Sequence, residues 1–152
     1  MKDTLNQNLD QESKNQLTIS TFAYELLRDI LIPDLLGKDT EEISYWAGKN
    51  LARKFPLLST DEIVSFFLEA AWGNLELIEE SKQEMKFELT GGIIERRIEM
   101  QQDPSFRLEA GFIAEQIQSK KNFTSEAYDE ILKKKNKVLI TVRWDKKDPI
   151  HG

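Results

Sequence analysis

The 152-residue chain contains no cysteine, and its single histidine is His151, next to the last residue. Without cysteine the chain cannot form disulfides, thiolate nucleophiles, zinc fingers or iron–sulfur clusters. Histidine is the side chain that titrates near neutral pH without special help, and a histidine at a chain end is poorly held for catalysis. We therefore expect no enzyme activity, no cofactor and no metal.

The sequence also lacks a long apolar run and an excess of positive charge. No window approaches the roughly 20 apolar residues of a membrane span, and the polar start of the chain lacks the apolar stretch of a signal peptide. The formal net charge is −6 and the pI is near 5.0, whereas surfaces that bind nucleic acid or anionic lipid need clustered Lys and Arg. We expect a cytoplasmic protein with no nucleic-acid binding and no membrane insertion.

Sequence motifs for phosphate binding and acyl transfer are missing. Gly37-Lys38 lacks the upstream glycine and preceding strand of a P-loop, and "LEAGF" has no serine between glycines. Carboxylates are abundant, at Glu41, Glu42, Glu76, Glu79, Glu80, Glu84 and Glu88. Because strand alternation places most of them opposite the apolar face, we interpret them as solvated charges rather than an acid–base pair or a cation site.

The composition is typical of one globular domain preceded by an arm. A hydrophobic fraction of 39% and a charged fraction of 32% suit a single domain of this length. Residues 1–18 are mostly polar and predict a flexible N-terminal arm. Residues 19–152 predict a single α+β domain.

Apolar residues at helical spacing predict helices over about residues 20–32, 40–55, 59–72 and 104–119. Pro33 is expected to end or kink the first helix. Asp39 and Ser59 are each followed three positions later by a glutamate, which predicts capping-box-like starts for the second and third helices.

Alternating polarity predicts one hairpin from residues 74–80 and 84–90, and a second from residues 126–132 and 137–144. Residues 91–102 fit either a short helix or an irregular extended segment. Helices, a hairpin, a helix and a second hairpin predict an α+β fold with an antiparallel sheet of about four strands and helices packed on one face.

Two of the predicted helices contain a glycine directly after an alanine, at Gly48 and Gly111. A glycine inside a helix costs about 1 kcal/mol relative to alanine. With Ala52 and Ala114 nearby, each helix has a side of small residues that lets another backbone or a ligand come close. Four alternatives follow: the two helices cross each other, they cross symmetry mates, they line a shared cavity, or they pack in the ordinary way within one monomer.

Aromatic residues accompany these glycines. An aromatic beside a small residue builds an apolar pocket or an interface anchor, and core filling is the plain alternative. The candidate ligand or interface residues are Tyr45, Trp46, Gly48, Ala52, Phe66, Phe67, Gly111, Phe112 and Ala114.

Arg96 and Arg97, with Arg107 nearby in sequence, form the compact arginine group of the chain. Such a group can hold an anion by bidentate hydrogen bonds. The alternative is salt bridges to the neighbouring carboxylates Glu95, Glu99 and Glu109.

Five segments carry a family resemblance: "AYELLRDILIPDLLG", "YWAGKNLARKFPL", "AAWGNLELIEESKQEMKFEL", "FRLEAGFIAEQIQ" and "KVLITVRWDKKDP". Together, from Ala23 to Pro149, they resemble the YslB-like family of uncharacterised small bacterial proteins. That family is more distantly similar to the vinyl-reductase-type ligand-binding domain and to vesicle-tethering subunits. In this chain "YWAGKNLARKF" and "LEAGFIAEQIQ" occupy the places of two helices of those distant relatives.

The distant resemblance implies an α+β fold, a homodimer and an apolar ligand cavity between helices and sheet. Many of those relatives carry cysteines, and this chain has none, so an acylated-cysteine or thiolate–metal role does not carry over. We expect a non-enzymatic homodimer that binds a small apolar or amphipathic ligand or a protein partner. A carboxylate- or arginine-based enzyme and a scaffold without a cavity are the alternatives.

Overall fold

The computed structural model describes residues 17–100 and 103–150. The predicted arm therefore lies outside the described residues except for Leu17 and Thr18, as does His151. The elements follow each other in the order α1 (Thr21–Glu25), a π-helical segment (Leu26–Leu31), α2 (Ile32–Leu36), a 3₁₀ turn (Gly37–Asp39), α3 (Thr40–Lys54), α4 (Thr60–Glu69), β1 (Asn74–Glu80), β2 (Glu84–Thr90), α5 (Gly92–Met100), α6 (Arg107–Lys121), β3 (Phe123–Leu132), a second 3₁₀ turn (Lys133–Lys135) and β4 (Lys137–Pro149).

The four strands form one antiparallel sheet in the order β1-β2-β4-β3. In the two central strands Phe87 lies opposite Ile140, and every second residue is buried along β2 and along β4 as far as Trp144. This buried face packs against α6, which contributes Ile113 and Ile117 to the same core. The predicted α+β fold with helices on one face of a four-stranded antiparallel sheet is confirmed.

The first helix continues further than predicted. Ser20 caps it by accepting a hydrogen bond from the Ala23 N–H at 3.1 Å, but the chain stays helical through Pro33 to Leu36. Proline has no N–H, and in an α-helix its ring meets the carbonyl four residues earlier, here that of Asp29. The π-helical segment widens the helix at that point, and the N–H of Ile32 bonds the Leu27 carbonyl five residues back.

The two predicted capping boxes have different outcomes. Ser59 accepts the Glu62 N–H at 3.2 Å, and the Glu62 carboxylate accepts the Leu58 N–H at 2.6 Å. The prediction for Asp39 is wrong, because its side chain makes no cap bond. The 3₁₀ turn runs directly into α3, and the Thr40 hydroxyl bonds the Gly37 carbonyl at 2.6 Å instead.

Other boundaries also move. The ambiguous segment is a helix, α5, over Gly92–Met100, and the predicted third helix ends at Glu69 rather than near residue 72. The later helix is α6, which ends where Asn122 takes a left-handed conformation with φ 63°. The second hairpin is longer than predicted because Phe123 pairs with Pro149 beyond the alternating stretch.

Helices α3 and α6 cross in direct backbone contact at the two glycines. A Cβ atom on Gly48 would lie 2.1 Å from the Leu108 carbonyl oxygen, and one on Gly111 would lie 2.1 Å from the Tyr45 carbonyl oxygen. Each helix therefore needs its glycine for the other helix to reach it. The predicted close approach is present, and the approaching backbone belongs to the same chain.

Replacing Gly111 by alanine should destabilise the protein by about 1–3 kcal/mol or more, because the added methyl overlaps the α3 backbone. Helix propensity alone predicts the opposite sign, a gain of about 1 kcal/mol. Urea unfolding measures the difference, with Gly92→Ala as the matched control, since a Cβ at Gly92 meets nothing within 4 Å. A Gly111→Ala protein as stable as the wild type would contradict the crossing.

Candidate functional site

The small residues and most aromatic residues predicted for the site lie in the core. Gly48, Ala52, Gly111 and Ala114 are all buried. The rings of Phe66 and Phe112 stack with centroids 4.5 Å apart, and Phe67 and Trp72 close around Phe112 edge-on. These rings fill space between helices and sheet, where the resemblance implied a cavity, so the structure gives them a core role and their ligand role stays a prediction.

Tyr45 joins α3 to the edge strand β3. Its hydroxyl accepts the Ala127 N–H at 3.1 Å, and the Arg107 guanidinium lies over its ring, 4.2 Å from the centroid. Arg107 in turn donates to the Ala127 carbonyl at 3.2 Å and to Asp129 at 2.7 Å. The two side chains cover backbone groups of an edge strand that are otherwise open to pairing with another chain. Burial raises the pKa of Tyr45 above its ordinary value, although the Ala127 N–H and Arg107 act in the other direction.

Arg97 is buried within the protein, with only 1% of its side chain exposed. It binds Asp29 through Nε and Nη2 at 2.8–3.2 Å, Glu109 at 3.3 Å and the Ser105 carbonyl at 2.8 Å. Its guanidinium carbon also lies 4.3 Å from the centroid of the Phe106 ring. The sequence allowed Arg97 either to contact an anion or to form salt bridges with neighbouring carboxylates. The structure contains the salt bridge to Glu109, and nothing among the described residues supports the anion contact.

Arg28 completes the cluster from the other side of Glu109. It pairs with the Glu109 carboxylate and donates to the Tyr24 hydroxyl at 2.9 Å and to the Ser105 carbonyl at 3.3 Å. Burial lowers the pKa of the Arg28 guanidinium, but Glu109, Tyr24 and Asp29 together raise it by more, so the pKa lies above its ordinary value. We call Arg28, Asp29, Arg97 and Glu109 the ion network; two cations balance two anions in it.

We call Thr21–Leu36 the first helical segment. The ion network attaches this segment to α5 and α6. A further pair, between Glu25 and Arg96, lies beside it. Sequence reasoning missed Glu25, Arg28 and Asp29. The available signal was their spacing, because charges at positions i, i+3 and i+4 share one side of an otherwise apolar helix.

The first helical segment consequently has its polarity reversed. Within Thr21–Leu36 the one fully buried residue is Glu25, whereas a surface helix ordinarily buries its apolar stripe. Large apolar side chains face outward along this segment and continue onto α3. We call this set the apolar face: Phe22, Leu26, Leu27, Ile30, Leu31, Ile32, Leu35, Ile43 and Trp46. An exposed apolar surface of this extent is typical of interaction sites.

A groove lies within the apolar face, between α2 and α3. It has a volume of about 280 Å³, and we call it the α2–α3 groove; its lining is Arg28, Ile32, Leu35, Leu36, Ile43, Ser44, Ala47 and Leu108. A more polar cavity of about 290 Å³ adjoins it and shares Arg28, Ile32 and Ser44. Because Ile32, Leu35 and Ile43 belong to both the groove and the apolar face, the surface is continuous from the first helical segment to α3.

Several carboxylates on the outer face of the sheet form surface pairs. Glu84 pairs with Arg143 and Glu88 with Lys137, each at 2.7 Å. Over residues 17–100 and 103–150, no group of three or more side chains is arranged to hold a metal ion. In the same residues, no helix has the length and apolarity to cross a bilayer. The feature of the described residues that is suited to binding is the apolar face with its groove.

Comparison with known proteins identifies the family. The model of the family described as "Protein of unknown function (DUF2507)" matches residues 21–143. The chain is also 47% identical over 139 residues to the uncharacterized protein YslB of Bacillus subtilis (strain 168), covering 91% of this chain and 94% of that protein. The chain therefore belongs to the DUF2507 family.

Two solved structures are similar in fold. A vinyl-4-reductase family protein from Methanocaldococcus jannaschii is 18% identical, with a TM-score of 0.58 over 88% of this chain and 86% of that one. A trafficking protein particle complex subunit 3 from Naegleria fowleri, covalently bound to palmitic acid, is 14% identical, with a TM-score of 0.47 over 87% and 92% of the two chains. The first likeness shows a shared fold and nothing further.

Removing one anion of the ion network should be costly. Glu109→Gln leaves Arg28 and Arg97 with one buried carboxylate between them, and we expect a loss of about 3–5 kcal/mol in unfolding free energy. Glu84→Gln, which breaks an exposed pair with Arg143, is the control and should cost under about 1 kcal/mol. If the two substitutions lowered the unfolding free energy equally in urea, the ion network would contribute no more to stability than an exposed pair, and the prediction would be wrong.

The three tyrosines should ionise late in the folded protein. Burial raises the pKa of Tyr24 and Tyr45, and a hydrogen bond to Glu126 raises that of Tyr128. The folded state therefore holds these protons more tightly, so this contribution to stability is complete below pH of about 10 and is lost as pH rises through the folded pKa values. Absorbance at 295 nm should rise at higher pH for native than for urea-unfolded protein; coincident curves would contradict this.

Proposed function

We propose that this member of the DUF2507 family is a non-enzymatic cytoplasmic binding domain that forms a homodimer through its apolar face. The observation that carries the proposal is the reversed polarity of the first helical segment. Glu25, Arg28 and Asp29 face the protein interior while the apolar side chains face outward. A helix with its apolar stripe exposed lowers its free energy when a partner covers that stripe.

The apolar face is large enough for a stable interface. Its side chains are each between 37% and 73% exposed. At on the order of 100 Å² each, they offer an area comparable to the roughly 800 Å² that each partner contributes to a standard interface. The composition also fits, since aromatic and large aliphatic residues with few charges are typical of interface centres.

A second copy of the chain is the partner that an apolar patch complementary to itself favours. The protein carries a formal charge of −6, so two copies repel each other at long range, and a contact without charged groups adds least to that repulsion. The apolar face contains no ionisable side chain of its own: Arg28 and Asp29 point into the ion network and Glu25 pairs with Arg96, which leaves Asp34 as the exposed charge of the first helical segment. A twofold interface brings the same patch of both copies together, and an apolar patch is complementary to itself.

The ion network supports this role by fixing the helix before a partner arrives. Buried ion pairs are directional, and those between Arg97, Asp29 and Glu109 hold the segment in one position. A surface that is already ordered loses less conformational entropy on association. The network thus substitutes for the apolar packing that the outward-facing side chains do not supply.

A small apolar ligand in the α2–α3 groove is the second candidate, favoured by the lining of Ile32, Leu35 and Ile43. The groove volume of about 280 Å³ lies at or just below the roughly 300–1,000 Å³ of ordinary ligand sites. Native mass spectrometry of protein purified from its own host tests for such a ligand. A bound small molecule that leaves on denaturation would favour this candidate over the homodimer alone.

Placing a charge on the apolar face should dissociate the dimer. Leu31→Lys puts an ammonium group into the apolar contact in both copies, and we expect at least a tenfold rise in the dimer dissociation constant, about 1.4 kcal/mol. Sedimentation equilibrium should show wild-type protein at twice the 17.7 kDa chain mass.

Ile78→Lys is the matched control for this measurement. Leu31 is 44% exposed and Ile78, on the edge strand β1, is 45% exposed, so the same change is made at equal exposure away from the apolar face. The control should remain dimeric. Wild-type protein that is monomeric at all concentrations, or a control that dissociates equally, would refute the proposed interface.

A further inference from the structure

Trp46 differs from the other tryptophans of the chain. Trp72 and Trp144 are buried, at 6% and 5% exposure, whereas Trp46 is 62% exposed on the outer side of α3. Tryptophan is among the residues most enriched at positions that dominate binding free energy, where it fills a pocket on the partner. An indole left in solvent beside an apolar groove therefore has the character of an anchor.

The α2–α3 groove has the size and chemistry of the matching socket. Its volume of about 280 Å³ suits one large side chain, and its walls come from Leu35, Ile43 and Leu108. The small side chain of Ala47 leaves the groove open next to Trp46. A buried indole needs an acceptor for its N–H, and Ser44 is among the residues that line the groove.

We infer that Trp46 of each copy inserts into the α2–α3 groove of the other copy, with the indole N–H donating to Ser44. The inference rests on the proposed homodimer. In a twofold dimer every contact is made twice, and an anchor and a socket that are neighbours in one copy can meet their counterparts only close to the axis. Ile43, Ser44, Trp46 and Ala47 follow closely along α3, and an axis passing beside this helix therefore brings each anchor to the opposite groove.

The fluorescence of the unmodified chain tests the inference, because Trp46 is the exposed member of the three tryptophans. On dilution through the dimer dissociation constant, emission should shift to longer wavelength and acrylamide quenching should increase. Sedimentation equilibrium at the same concentrations gives the dimer fraction. A dimer in which quenching stays at the monomer level overturns the Trp46 anchor while the homodimer stands. A chain that is monomeric at every concentration removes the proposed function itself.

A complementation experiment tests whether the contact is made between copies. Trp46→Ala removes the anchor and keeps the groove; Ala47→Phe keeps the anchor and fills the groove. Both positions are exposed, and thermal unfolding checks that each variant folds. Each variant alone should have a dimer dissociation constant at least about 30-fold higher than wild type.

An equimolar mixture of the two variants should dimerise more tightly than either alone, because the mixed dimer retains one anchor in one open groove. Native mass spectrometry, with one variant carrying a mass tag, measures the mixed species directly. A mixture no tighter than its components overturns the inference. Should Ala47→Phe fail to fold, the fluorescence experiment still decides, since it needs no substitution.

Discussion

The contact between α3 and α6 at Gly48 and Gly111 is the constraint on which the rest of the structure depends. No side chain separates the two helices there, so their relative position is fixed by backbone atoms. Leu108, whose carbonyl oxygen meets Gly48, also lines the α2–α3 groove. Glu109, the next residue, is the shared anion of the ion network. One helix crossing therefore sets the positions of both the groove and the network.

The ion network accounts for an arrangement that hydrophobic burial alone would not produce. Removing four charged side chains from water is costly, and it is tolerated here because cations and anions balance and the guanidinium groups find several acceptors. What the network adds is direction: Arg28 and Asp29, with the neighbouring Glu25–Arg96 pair, fix which side of the first helical segment faces the core. The outward apolar face follows from that choice.

The likeness to a vinyl-4-reductase family protein shows the fold alone. In this chain Phe66, Phe67, Trp72 and Phe112 pack ring against ring between the helices and the sheet. The exposed apolar surface lies instead on the outer side of the helical layer.

Hydrophobic periodicity by itself determined the order and type of the helices and strands other than α5, since helical and strand spacing are local properties of the chain. It also identified the two glycines, whose cost within a helix indicates a close approach. Only the tertiary structure decided which backbone approaches them, because Tyr45 and Leu108 belong to helices far apart in sequence. The same holds for the first helical segment. The spacing of its residues shows which of them share a side of the helix, but Arg97 and Glu109 set which side faces inward. These two residues are distant in sequence and contact the segment only when the chain folds.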